Sequence, residues 1–397
     1  MIYPNLETIK AAAGSGQYKT APISMEILSD IRTPMEVLKI LTNISSHCYM
    51  LESVSGSEQW GRYTFLGYEP KLAITCLNGH MKIGSLSFET DAPGEYIRQI
   101  IEDNKSVRFE GLPSFTGGLV GYFSYDYLKY SEPSLRLDAE DTEGFQDVDL
   151  MLFDKVIAFD NFRQKIILIV NIALADWETE YNRAVMELHQ MKKLIVEGTP
   201  APRQPGRLTS EVRSLFSRDE YCSMVNRAKQ HIREGDIFQI VLSNRLEADY
   251  EGSLLDAYRC LRTMNPSPYM FYFSGSDMEV AGASPETLVK LEGGVLHTFP
   301  LAGTRPRGKT KAEDLTLEKE LLADEKELAE HNMLVDLGRN DIGKISRFGS
   351  VSVEKLHCIE RFSHVMHIGS TVRGELKEGK TALDAIDAIL PAGTLSG

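Results

Sequence analysis

No stretch of this 397-residue sequence stays apolar long enough to cross a bilayer as a helix. The longest strongly apolar run, Ile166–Val170, ends at Asn171, whereas a span needs about 20 such residues. Basic charge is short as well. Lys and Arg number 43 against 57 Asp and Glu, a net charge of −14, so a phosphate backbone is repelled on average and nucleic-acid binding is disfavoured. The five cysteines (Cys48, Cys76, Cys222, Cys260, Cys358) are odd in number, scattered and without a C-x-x-C pair. That pattern fits reduced thiols in a cytoplasmic protein and argues against a disulfide scaffold or a zinc site. Met1–Lys10 holds Glu7 and no apolar core, so no secretory signal is expected. There is no G-x-S-x-G elbow and no strand-led G-x-G-x-x-G, which removes the serine-hydrolase and dinucleotide-binding readings.

What is present is ordinary globular composition, 42% apolar and 25% charged, in a length that suits two domains. The seam falls in Glu197–Thr209, EGTPAPRQPGRLT, a Pro- and Gly-rich linker. The expected division is therefore an N-terminal domain over 1–196, a linker over 197–209 and a second domain over 210–397. Before the seam, the spacing of Val185, Leu188, Met191 and Ile195 predicts a helix over Glu178–Val196. After it, Ser217 with Glu220 three residues on predicts a capping box opening a helix over Arg218–Glu234. A second long helical pattern covers Ala312–Leu337. Strands are expected at Leu150–Phe159 and Gln164–Ala173, joined by a hairpin at Asp160–Arg163. Others are expected at Ile237–Leu246, Tyr269–Phe273, Glu279–Ala283, Leu288–Leu291, Val351–His357 and Val365–Leu376. Strands joined by short turns, with the helices grouped elsewhere, predict an α+β fold with antiparallel sheets.

Few residues announce chemistry by themselves. Glu327 and Glu330 lie three apart on a helical pattern, an arrangement that can hold a hard cation, with His331 beside them. On spacing alone a solvated face is the simpler reading, because Glu318, Glu320 and Glu325 share that region. His364 and His367 are an odd number apart in a strand pattern and so face opposite sides, which resists a metal reading. His367 then shares a polar face with Thr371 and Arg373. Gly117-Gly118-x-x-Gly121 lacks the lysine of a phosphate loop, and close backbone packing or a turn explains it better. Leu301-Ala-Gly-Thr-Arg305 places a glycine, a hydroxyl and a guanidinium together, a weak anion-binding signal.

Longer motifs carry a resemblance. YMLESVSG (Tyr49–Gly56), GRYTFLGYEP (Gly61–Pro70) and GGLVGYFSYD (Gly117–Asp126) resemble the N-terminal domain of the anthranilate synthase component I family. GDIFQIVLS (Gly235–Ser243), NPSPYMFY (Asn265–Tyr272), ASPET (Ala283–Thr287), PLAGTRPRG (Pro300–Gly308), DEKELAEHNMLVDLGRNDIG (Asp324–Gly343) and FSHVMH (Phe362–His367) resemble its chorismate-binding domain. The resemblance spans almost the whole chain. It implies the chorismate-utilising fold, two antiparallel sheets packed face to face with helices outside. It also implies an enzyme that converts chorismate and ammonia to anthranilate and pyruvate, in a heterotetramer with a glutamine amidotransferase subunit.

The resemblance reverses the solvated-face reading: Glu330, with Glu327, would hold Mg²⁺ against the ring carboxylate of chorismate. Gly303 and Thr304 would contact chorismate, and Glu286 would be the general acid for the departing C4 hydroxyl. His367 would serve pyruvate elimination. Ser53, Pro268, Tyr269 and Met270 would form a regulatory tryptophan pocket. Isochorismate and salicylate synthases carry a lysine where Gln239 stands, and aminodeoxychorismate synthases often carry a nucleophilic lysine at the position of Ala302. With neither lysine present, attack by ammonia is the expected chemistry. Relatives continue past the closing PAGTLSG into a segment that supplies further Mg²⁺ carboxylates and chorismate anchors, so a truncated, inactive chain that still binds tryptophan is the alternative expectation.

Overall fold

The computed structural model describes residues 2–53, 61–135, 141–202, 205–237 and 239–392. Two compact units divide the chain: Met1–Gln204 with Leu254–Ser284, and Pro205–Ser253 with Pro285–Gly397. The break near Gln204 falls inside the linker read from composition. The expected unbroken second domain over 210–397 is corrected, because Leu254–Ser284 belongs with the first unit. The reason is strand pairing: Tyr269–Ser274 ladders with Cys48–Glu52, Met270 opposite Glu52 and Phe273 opposite Tyr49. Such a long-range register leaves no local mark on composition.

The first unit holds two antiparallel sheets. The larger has eight strands in the order Ile2–Tyr3, Thr20–Leu28, Lys165–Ala173, Lys155–Asp160, Tyr63–Tyr68, Cys48–Glu52, Tyr269–Ser274 and Glu279–Ser284. The smaller has five, in the order Leu86–Glu89, His80–Ile83, Leu72–Leu77, Val148–Phe153 and Gly118–Phe123. Tyr49 and Phe273 of the larger meet Val120, Met151 and Phe153 of the smaller in one buried cluster, so the sheets pack face to face. Helices cover the other face of the larger sheet. Ala184, Leu188, Met191 and Ile195 of the helix Trp177–Glu197 lie in the main core with Ile166, Leu168 and Val170. The expected strand Leu150–Phe159 is two strands, cut at Asp154, with Val148–Phe153 in one sheet and Lys155–Asp160 in the other. The following hairpin forms as expected, its turn held by Asp160, which accepts from the N–H groups of Phe162 and Arg163. Gly121 explains the glycine cluster: a Cβ there would lie 1.9 Å from the Asp149 carbonyl oxygen, so close packing and not phosphate binding requires it.

The second unit has one five-stranded antiparallel sheet built around Val365–Glu375. Val295–Thr298 and Leu301–Pro306 pair along one side of it and Ser352–Arg361 along the other, while Lys290–Glu292 joins at the edge. Met366, Ile368, Ser370 and Val372 are buried in alternation, and His367, Thr371 and Arg373 point to the more open face. His364 lies in the turn before this strand and not on it. The long helical pattern is two helices, Lys311–Ala323 and Glu325–Gly343. Asp324 divides them, its side chain accepting from the N–H groups of Lys326 and Glu327 as an N-cap. Leu321 packs on Met366 and Ile368, and Val335 and Ile342 pack on Val372, which seats both helices on the buried face of the sheet. The capping box of Ser217 and Glu220 forms, opening the helix Arg218–Glu234. The expected strand Ile237–Leu246 is corrected as well. Only its end, in Leu246–Glu247, pairs, with Arg213–Ser214, and 239–245 belong to no strand. An apolar run becomes a strand only where a neighbour takes its backbone hydrogen bonds along its length; here the Arg245 carbonyl accepts from the Leu215 N–H and the Leu242 carbonyl from Tyr221 Oη, and no ladder continues upstream of Leu246 among the described residues.

Candidate active site

Leu301–Pro306 and Val365–Glu375 assemble the densest group of site residues. Ala302 pairs with Ile368 and Thr304 with His367, and the register slips at Gly303, which forms a bulge. Gly303 has φ +76, the left-handed region that glycine enters without cost. A Cβ on it would meet Ile368 Cδ1 at 3.1 Å and Glu327 Oε2 at 3.3 Å. The bulge aims His367 Nδ1 at the Gly303 carbonyl (3.2 Å) and at Thr304 Oγ1 (3.0 Å). A carbonyl oxygen only accepts, so Nδ1 carries the proton of the neutral ring. Nε2 is then left with its lone pair, ready to take a proton. Phe362 stands edge-on to the ring, with centroids 5.5 Å apart.

Glu286 lies beyond the first unit's last strand, and its carboxylate accepts from the backbone N–H of Leu301. The residue as a whole is exposed, yet its carboxyl group is packed among protein atoms, and the surroundings of the carboxyl decide its titration. Desolvation raises its pKa above the ordinary carboxylate range, with the Leu301 N–H pulling the other way. A carboxyl whose neutral form is favoured in this way is suited to donate a proton.

The carboxylate pair sits on the helix side of the same strand. Glu327 packs against Gly303 and faces Arg305 Nη1 at 3.6 Å, while Arg305 also binds Asp324 at 2.8 Å. Glu330 is half-buried and, among the described residues, makes no hydrogen bond or ion pair. Two helix carboxylates, one of them unengaged, fit a hard cation that completes its shell with water and substrate oxygens. No hydrogen bond or ion pair joins either glutamate to Thr304 or His367 among the described residues. The pleat sends His367 to the face opposite Ile368. Gln239 is exposed in the unpaired segment and is not brought to these strands by any hydrogen bond. Another cluster of potential ligands, His231, Glu234 and Asp236, is exposed at the end of the helix Arg218–Glu234; it was not legible in the sequence, and acidic groups gather in this way without an ion.

Sequence reasoning also missed a buried group behind the glutamates. His331 is 0% exposed, and its Nε2 lies 2.6 Å from Ser370 Oγ. Desolvation, then the nearby His357, pushes its pKa down to about 4, so the ring is neutral at neutral pH. The available signal was its place three residues after Leu328 and four before Val335, on the buried stripe.

The regulatory residues lie in the first unit. Met270 is buried and paired with Glu52, so the same register brings Ser53 alongside Tyr269, with Pro268 next in the chain. Ser53 Oγ is buried without a hydrogen-bond partner among the described residues. Beside it Glu52 accepts from Tyr258 Oη at 2.6 Å and from the Arg262 guanidinium.

A family model described as chorismate binding enzyme matches residues 46–397. The chain belongs to the chorismate-binding enzymes. Among curated relatives, this chorismate-binding enzyme is 43% identical to anthranilate synthase component 1 of Acetivibrio thermocellus over 409 aligned residues, covering 100% of this chain and 82% of that one. It is 41% identical to the protein of the same name from Aquifex aeolicus, covering 99% of this chain and 81% of the relative. Among solved structures, it is similar to anthranilate synthase component I from Streptococcus pneumoniae, with TM-score 0.74 and 34% identity over 94% of this chain and 80% of that chain. The isochorismate synthase MenF of Escherichia coli, at 14% identity and TM-score 0.63 over 97% of this chain and 78% of that one, shares the fold. No helix among the described residues is long and apolar enough to cross a membrane.

Proposed function

We propose that this protein is the large subunit of an anthranilate synthase, making anthranilate, pyruvate and water from chorismate and ammonia, the first step of tryptophan biosynthesis in the cytoplasm. The observation that carries the reading is the pairing of a desolvated acid, Glu286, with a histidine whose Nε2 is left free to accept. Glu286 gives its proton to the C4 hydroxyl as it leaves as water while ammonia adds at C2. His367 then serves loss of the C2 proton and of the side chain as pyruvate. Its tautomer is set by Gly303 and Thr304. Thr304, Gly303 and Ala302 bind and shape the space around chorismate. The absence of lysine at Gln239 and Ala302 supports an amine nucleophile over water or a covalent intermediate. Glu330 and Glu327 would hold Mg²⁺, which supplies charge neutralisation for the ring carboxylate. A glutamine amidotransferase subunit, anthranilate synthase component II, supplies the ammonia. Tryptophan inhibits through Ser53, Pro268, Tyr269 and Met270, a reading supported by the unpartnered Ser53 hydroxyl.

Incubation with chorismate, Mg²⁺ and excess ammonium, followed by fluorescence and mass analysis of the product, tests the reading. Anthranilate is expected. Isochorismate, salicylate or aminodeoxychorismate as the main product overturns it.

A further inference from the structure

We infer that His331 and Ser370 form a positioning clamp that fixes where the helix Glu325–Gly343 presents Glu327 and Glu330, and thereby sets the affinity of the cation site. The inference rests on the reading of those glutamates as cation ligands.

The fully buried residues of this helix are His331, Val335, Gly338 and Ile342. All but His331 lie further along the helix, away from the glutamates. At the glutamate end Leu328 packs, partly buried, on Leu321, Met366 and Ile368, and the fully buried anchor is the polar ring of His331. Glu327 is four residues before His331, on the same helical side, and Glu330 is its immediate neighbour. Any rotation or slide of this turn about His331 moves both carboxylates.

His331 Nε2 meets Ser370 Oγ at 2.6 Å, on the buried face of Val365–Glu375. Ser370 is itself fixed. Its N–H donates to the Pro300 carbonyl at 3.0 Å, next to Leu301–Pro306, and its Oγ accepts from the His357 N–H at 3.1 Å. His357 has φ +56, and its Nε2 lies 2.8 Å from Asn332 Oδ1 on the same helix, with the two imidazole rings 5.5 Å apart edge to face. One serine thus ties the glutamate turn to three strands. On the other side of the glutamates the Arg305–Asp324 pair holds the start of the helix. Glu327 and Glu330 lie between these two polar tethers.

Packing alone does not account for a histidine here. His331 Nδ1 is buried with no hydrogen-bond partner among the described residues, so whichever tautomer the Ser370 contact selects, one ring nitrogen is desolvated and unsatisfied there. An apolar side chain of similar size would avoid that penalty. A polar group kept in such a place is explained by the geometry it enforces, as groups behind metal ligands commonly do.

The test compares the full-length His331→Leu, His331→Gln and Ser370→Ala variants with the unaltered protein. It uses Mn²⁺ alone as the probe, followed by electron paramagnetic resonance, and thermal unfolding as a check on the fold. Glu330→Gln serves as the reference for loss of the site. His331→Leu and Ser370→Ala are each expected to weaken Mn²⁺ binding about tenfold with the unfolding temperature kept or raised. The double variant should weaken it no further than either alone. His331→Gln, which returns a hydrogen-bonding group toward Ser370, should recover most of the affinity. In turnover assays the Mg²⁺ requirement should rise with a smaller change in the chorismate KM. If His331→Leu does not fold, Ser370→Ala, which deletes one hydroxyl, decides alone. Unchanged Mn²⁺ affinity in folded His331→Leu or Ser370→Ala, alongside a loss in Glu330→Gln, overturns the clamp and leaves the cation reading intact. Mn²⁺ binding that Glu330→Gln does not disturb overturns the cation reading, and the clamp with it.

Discussion

The two units treat buried charge in opposite ways. In the first, acidic groups beneath the sheets are closed off by partners: Glu52 by Arg262 and Tyr258, Asp160 by Arg62, and Asp147 by Lys129 and Tyr130. In the second, Glu330 is half-buried and makes no hydrogen bond or ion pair among the described residues, and the Glu286 carboxyl is desolvated and accepts from the Leu301 N–H. A satisfied network holds a fold in one arrangement, whereas an unsatisfied one keeps its capacity for a ligand or a proton. The contrast separates structural from chemical carboxylates better than burial does, since Glu52 is the more buried group.

The strongest way to break this contrast is Glu286→Gln. It is expected to lower anthranilate formation by about 10²–10⁴-fold while leaving the unfolding temperature unchanged or slightly raised. The sign of its pH dependence follows from the raised pKa. Glu286 is protonated, and active as an acid, below that value, so its contribution to rate falls as pH rises through it. Its stability effect has the same direction. The folded state binds this proton more tightly than the unfolded chain, so a penalty absent at acid pH sets in as pH rises from the ordinary carboxylate range to the raised value. A wild-type activity profile in which the acidic form is inactive would remove Glu286 from the role of acid.

Arg262→Met addresses the opposite case, a paired carboxylate. Leaving Glu52 buried with only Tyr258 should cost about 3 kcal/mol in urea unfolding. A loss below about 0.5 kcal/mol would show that the pair does not hold the first unit together. Gly303→Ala should cost about 1–2 kcal/mol, because alanine resists φ +76. It should also lower kcat by disturbing the contact of Thr304 with His367, and steady-state kinetics with unfolding would read both effects. Ser53→Ala gives the smallest change. Stability should stay the same, since the hydroxyl has no hydrogen-bond partner among the described residues, while tryptophan binding measured by calorimetry weakens by about 1 kcal/mol. Unaltered tryptophan affinity would move the regulatory pocket elsewhere.

Local chemistry was legible where a side chain acts on its own neighbours. The Ser217–Glu220 capping box, the Asp160 hairpin and the helix ending at Glu197 all follow from short-range pattern. The break at Asp324 was legible in principle, since an N-cap aspartate with Glu327 three residues on is a helix start, but a charged helical stretch on both sides masks it. Asp154 hid differently. A continuous β-rich run does not say that its halves belong to different sheets, because that depends on partners far along the chain. Ile237–Leu246 failed as a strand for the same reason. In the site, motif resemblance supplied Glu286, Thr304 and His367, whereas the His331–Ser370 contact joins residues 39 apart and only the fold reveals it.

The bulge at Gly303 makes the active strand depend on counting. Ala302 faces Ile368 and Thr304 faces His367, so one glycine is passed over while the opposite strand advances by a single residue. Were Gly303 instead paired with His367 in an even ladder, Thr304 would stand against Met366, its hydroxyl turned into the core. Substitutions along this strand alter one side chain each, but flattening the bulge at constant chain length inverts the parity of every side chain from Thr304 onward. The bulge at this point is therefore as much a part of the site as any functional group.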